Sequence, residues 1–169
     1  EREGTERSSS TLRRAFFRPT LEAILRLDSP QERAIACDDG TGHALDTIEL
    51  GKVLEKTMAV LGQKLDLLGM DACLMSNLEV AYQVRELVNY IVASEESEPN
   101  EGWPYDSVLR ALVKDPELST EDLAVKIVRA YIQSYARRSY SGDITQSALD
   151  LSQVGQLVQP LDDLAALLT

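Results

Sequence analysis

Short apolar runs alternate with segments of helical period from residue 34 to the end of the chain, and this alternation limits the fold more than any other feature. Ala34–Cys37 reads as a strand, Leu65–Met70 as a second, buried strand and Tyr90–Ser94 as a third. Asp46, followed three residues later by Glu49, reads as a capping box. It opens a helix whose Leu50, Val53, Leu54, Met58 and Leu61 share one face. Ser76 with Glu79 predicts another capping box, for a helix lined by Leu78, Ala81, Val84 and Val88. The stretch EESEPNEGWP is a loop, because Pro99, Gly102 and Pro104 break any regular pattern, and Pro104 suits the first position of a helix reaching Leu112. Ser119 caps a long helix that turns Leu123, Ile127, Ala130, Tyr131 and Ser134 inward. DITQSALDL alternates as a strand, and a Leu-rich helix closes the chain. Strands separated by helices predict an α/β fold, a mostly parallel sheet with helices on both faces. In such sheets the working crevice lies at the carboxyl ends of the strands.

With 169 residues and 44% apolar content, the chain can bury one sizeable core. Residues 1–33 form a separate Arg-rich surface segment, with Arg2, Arg7, Arg13, Arg14, Arg18, Arg26 and Arg33, an SSST tract and one short helix over Thr20–Leu27. Residues 34–169 form the domain. The net charge of −11 argues against nucleic acid and against anionic membrane as partners, and suits basic peptides or proteins. Cys37 and Cys73 are too few for a disulfide framework and read as reduced. No apolar run approaches the roughly 18 residues of a membrane span, and residues 1–15 carry no signal-peptide core. The opening EREGTE, without Met, reads as the start of a fragment. The compartment is left open. No ligand-spaced loop of the EF-hand kind assigns a metal site.

Cys73 is the residue with chemical promise. It stands just past the strand Leu65–Met70 and before the helix cap expected at Ser76. There a helix dipole favours thiolate, and free backbone N–H groups can receive an oxyanion. The alternative is a small buried hydrophobe. Cys37, inside a strand, takes that blander role. Asp71 offers a carboxylate able to bind a guanidinium through two charge-assisted bonds, or else to cap the strand end. Glu95 and Glu96 read as solvated.

The runs AIACDDGTGHALDTIEL, DLLGMDACLMSNLEVAYQVREL and YIVASEESEPNEGWPYDSVLRAL together resemble the clostripain-like cysteine peptidases, relatives of caspases and gingipains. The likeness extends from about Arg33 to the end. It implies a caspase-like three-layer sandwich and an endopeptidase cutting after Arg or Lys by a Cys/His dyad. Cys73 matches the nucleophile and Asp71 the acidic residue that receives the P1 side chain; Glu101 is a further acidic candidate over that pocket and Trp103 a candidate wall. The resemblance makes calcium a possible cofactor. It also implies maturation by cleavage between histidine and cysteine, so that the histidine would lie upstream of Glu1, within the protein's own N-terminal chain. His43 is the sole histidine here and is not followed by Gly, so it departs from the family's His-Gly motif. Without its histidine, the fragment alone is expected to be nearly inactive. The alternative function is an inactive pseudo-peptidase, or module, that binds basic peptides in the same acidic crevice.

Overall fold

The computed structural model describes residues 35–37, 40, 41, 43–137 and 144–168. The Arg-rich segment 1–33 and its expected helix lie outside them. β1 (Ala36–Cys37) and β2 (Ala44–Leu45) form a small antiparallel ladder that pairs Ala36 with Leu45. α1 (Thr47–Leu61) opens on the expected capping box: Asp46 Oδ1 accepts the Glu49 N–H at 2.8 Å, and Glu49 Oε2 accepts the Asp46 N–H at 3.3 Å. Gly62, in the left-handed region at φ 73°, ends the helix by donating its N–H to the Met58 carbonyl at 2.8 Å. The buried stripe is narrower than the periodicity predicts. Leu50 and Leu54 are buried and Met58 packs against them, whereas Val53 and Leu61 flank the contact and are more than half exposed.

β3 (Leu65–Gly69) and β4 (Val88–Ala93) are parallel, in a register that sets Leu65 opposite Val88 and Gly69 opposite Val92. Between them lies α2 (Leu78–Val84). Val88, expected on that helix, is the first residue of β4. α2 is capped by Asn77, whose Oδ1 accepts the Val80 N–H at 2.9 Å. Ser76, the expected cap, serves the sheet instead: its N–H donates to the Ser94 carbonyl at 2.9 Å, and its hydroxyl lies 2.5 Å from the Ser147 hydroxyl.

α3 (Tyr105–Lys114) and α4 (Thr120–Arg137) follow β4, and β5 (Ser147–Asp150) then pairs antiparallel with it. Among the described residues the central sheet, of order β3-β4-β5, is therefore mixed, with one parallel and one antiparallel pair in place of the expected mostly parallel sheet. The cause is the connection. One helix returns the chain to the starting edge of a sheet, but two bring it back to the edge where β4 finished, so that Ala93, the last residue of β4, pairs with Ser147, the first of β5. Ser119 does cap α4, accepting the Asp122 N–H at 3.1 Å. The fully buried face is Ala124, Ile127, Tyr131 and Tyr135, while Leu123, Ala130 and Ser134 are half-buried. A 3₁₀ helix (Leu151–Leu157), capped by Asp150, leads into α5 (Val158–Leu168).

Successive β4 residues point into different cores. Ile91 and Ala93 join Leu50, Leu54, Val80, Ala81 and Val84, from α1 and α2. Val92 joins Trp103, Ala124, Ile127, Tyr131 and Tyr135, mostly from α4. Ile91 and Val92 are completely buried, which contributes roughly 1.5–3 kcal/mol each. No helix among the described residues is long and apolar enough to cross a membrane. Because β3 and β4 are parallel and pinned by these cores, their carboxyl ends open at one edge. The loops 70–77 and 94–104 leave from there.

Candidate active site

The last bond of the parallel ladder runs from the Met70 N–H to the Val92 carbonyl, 2.9 Å. Beyond it the chain turns sharply. Leu74 has φ 62°, the one left-handed conformation of a non-glycine among the described residues, and a branched side chain there costs about 1–3 kcal/mol. Three hydrogen bonds hold it: Leu74 N–H to the Glu96 carbonyl (3.1 Å), Asn77 Nδ2 to the Leu74 carbonyl (2.7 Å), and the Ser76–Ser94 bond. Strain kept in place by neighbours is a mark of a working turn. Cys73 occupies it.

Cys73 is a free, half-buried thiol whose Sγ accepts the Glu98 N–H at 3.2 Å. The donor fixes the side chain and is placed to meet charge on sulfur. The surroundings correct part of the sequence reading. α2 starts at Leu78 behind its Asn77 cap, so Cys73 does not stand at a helix N-terminus. The Leu74 and Ser76 N–H groups are committed to carbonyls and do not point at an incoming oxyanion.

Asp71, exposed at the mouth of the same turn, accepts two hydrogen bonds on Oδ2, from the Trp103 N–H (3.1 Å) and the Tyr105 hydroxyl (2.8 Å). Trp103 is buried in the second core beneath it. Gly69 permits this, since a Cβ there would lie 3.0 Å from the indole ring. Trp103 thus supports the acidic group from behind. Glu101 is exposed in the turn that Gly102 N–H closes on the Pro99 carbonyl, and among the described residues no hydrogen bond joins its side chain to Asp71. Glu95 and Glu96 are exposed, their N–H groups bound to the Thr145 hydroxyl. His43 is exposed near β2, and among the described residues no hydrogen bond links it to Cys73. No three His, Cys, Asp or Glu side chains among the described residues converge as metal ligands.

Glu98 was not legible as a site residue. Its carboxyl is half-buried and within side-chain hydrogen-bonding reach of that of Asp71, and its Oε2 accepts the Trp103 indole N–H at 2.9 Å. With the Gln146 amide oriented to satisfy both its ends, that nitrogen donates to Glu98 Oε1 at 3.2 Å. Burial, reinforced by the hydrogen bond to Asp71 and by its charge, pushes the Glu98 carboxyl up to about 8, against the opposing indole bond. Partial burial and the same carboxylates push the Tyr105 phenol up to about 12. Because the folded state holds the Glu98 proton more tightly than the unfolded chain, that contribution to stability is complete below about pH 4.5 and is lost as pH rises through about 8. In Glu98→Gln, which keeps the shape without the proton, thermal melts at pH 5 and pH 9 should differ less than in the parent.

Gly102 lets the second loop close on the first. Its φ is 62°, a Cβ would lie 2.8 Å from Asp71 Oδ2, and its carbonyl accepts the Tyr135 hydroxyl at 2.8 Å. Gly102→Ala is expected to lower Tm by roughly 3–10 °C, from about 1–3 kcal/mol of strain. Gly155→Ala, with nothing within 4 Å, is the control and should stay close to the parent.

The sequence profile of the clostripain family matches residues 22–169. Among solved structures, the chain is similar to a B. fragilis cysteine protease, with 26% identity and a TM-score of 0.58 over 72% of this chain and 49% of that one. It is equally similar to a secreted cysteine protease from Bacteroides thetaiotaomicron, solved in complex with an irreversible peptide inhibitor: 26% identity and a TM-score of 0.57 over 71% of this chain and 34% of that one. A clostripain from Bacteroides thetaiotaomicron, in complex with a peptide inhibitor, shares the fold at 22% identity and a TM-score of 0.57, over 72% of this chain and 50% of that one. The chain spans half or less of the length of these proteases. No curated protein matches the sequence. A profile match that covers every described residue, on a fold shared with solved cysteine proteases, makes this chain a member of the clostripain family.

Proposed function

We propose that these residues are the nucleophile-bearing part of a cysteine endopeptidase that cuts after Arg or Lys. The observation that carries this reading is the single strained turn that presents Cys73 and Asp71 together at the carboxyl edge of β3, with the sulfur held by the Glu98 N–H. Cys73 Sγ attacks the scissile carbonyl, and a histidine gives its proton to the departing amine. Water then clears the thioester and returns the proton to the histidine. That histidine is expected upstream, on the segment removed from Cys73 by maturation cleavage, and the assembled enzyme is expected to be a caspase-like three-layer sandwich. Asp71 meets the cationic P1 side chain, with Glu101 above it and Trp103 as support. The irreversible peptide inhibitor bound by a relative at 26% identity is consistent with a peptide-binding crevice and a reactive side chain.

Hydrolysis of arginyl, lysyl and neutral peptide amides by the full-length gene product tests this reading. Cleavage after arginine, less after lysine and little after neutral residues is expected. An arginyl peptide that binds but is never cut would identify the pseudo-peptidase instead.

A further inference from the structure

We propose that Glu98 is the proton-linked partner of Asp71 in recognising a basic side chain: a guanidinium entering the crevice expels the proton shared by the two carboxyls and faces both as carboxylates. The inference rests on the reading that Asp71 receives the P1 group.

The geometry carries it. Trp103 ties the two acids into one unit, its backbone N–H on Asp71 and its indole N–H on Glu98, at 3.1 and 2.9 Å. Gln146 holds the other Glu98 oxygen, and Gly102 presses the loop against Asp71. The Glu98 carboxyl also lies within side-chain hydrogen-bonding reach of Asp71, and a bond between two carboxyls needs one proton. The neutral state of Glu98 near pH 7 agrees with this. A cation can take the proton's place. A guanidinium carries five donors in a planar fork, enough to bond two carboxylates, whereas an ammonium is a point charge. The exchange balances: Asp71 carboxylate, Glu98 carboxylic acid and guanidinium become a cation between two carboxylates, and one proton leaves to solvent. Among the described residues, the other titratable groups facing Glu98 are Cys73 on the β3 turn and Tyr105 at the start of α3; Trp103 and Gln146 bring neutral groups.

Isothermal titration of the full-length protein with agmatine, in buffers of different ionisation enthalpy, reads the proton directly. At pH 7 close to one proton should be released per agmatine bound, falling towards none above pH 9. Affinity should rise by up to tenfold per pH unit below about pH 8 and then level. In Glu98→Gln the release and the pH dependence should both vanish. Binding that is lost in Asp71→Asn, but shows neither proton release nor pH dependence in the parent, would overturn the proposal and leave the P1 reading intact. Agmatine binding that is absent, or is unchanged by Asp71→Asn, would overturn both.

Discussion

Under the proposed function, Cys73→Ala in the full-length protein should reduce hydrolysis of an arginyl amide by on the order of 10⁴–10⁶-fold. Removing a nucleophile that acts as a unit with its base has effects of that size. The loss should be chemical and not structural. The side chain is half-buried and accepts one hydrogen bond, from Glu98 N–H, so its removal costs about 1 kcal/mol of stability. The neighbouring backbone is held by hydrogen bonds to Glu96, Asn77 and Ser94 that do not involve the sulfur. Unchanged melting together with lost turnover is the expected pair of results. Turnover that survives Cys73→Ala would remove the nucleophile from this turn.

Asp71→Asn has the second largest expected effect, and the substitution separates charge from structure. Both structural donors, Trp103 N–H and the Tyr105 hydroxyl, bond the same oxygen, so an amide carbonyl at that position keeps them. What disappears is the negative charge that the proposed function assigns to reading P1. A hydrogen bond to a charged group contributes about 1.5–3 kcal/mol, and each decade corresponds to about 1.4 kcal/mol. The kcat/KM for arginyl substrates should therefore fall roughly tenfold to a hundredfold. A deeply buried pair would lose more, but Asp71 is exposed. A substrate with a neutral P1 residue should change by less than about threefold. Equal losses on both substrates would assign Asp71 to supporting the turn.

Much of the frame was legible because its causes are local. The Asp46–Glu49 box, the loop broken by Pro99, Gly102 and Pro104, and the Ser119 cap depend on neighbours within a few residues, and the structure reproduces them. The positions of β3 and β4, and the edge carrying Cys73, followed from alternation. The antiparallel direction of β5 did not, because it depends on how two helices return the chain. Ser76 and Asn77 are both good caps, and the choice between them is made by Ser147, 71 residues away. The candidate site was legible only where a motif marks it. Cys73 and Asp71 came from a motif, but Glu98 matters only through its contacts with Asp71, Trp103 and Gln146, and its sequence neighbours Ser97 and Pro99 carry no hint of them. Cys73 does not stand at a helix N-terminus, because the tertiary bonds of Leu74 and Ser76 delay the helix to Leu78.

Under the proposed function, Cys73 attacks a substrate whose basic side chain is read beside it. Treating the full-length protein with an arginine-ended peptidyl chloromethyl ketone, and mapping the adduct by mass spectrometry, tests both halves at once. A single adduct on Cys73 is predicted, formed at least tenfold faster than with the same peptide ending in norleucine, with Cys37 unmodified. An adduct on Cys37, or equal rates for the two peptides, would contradict it.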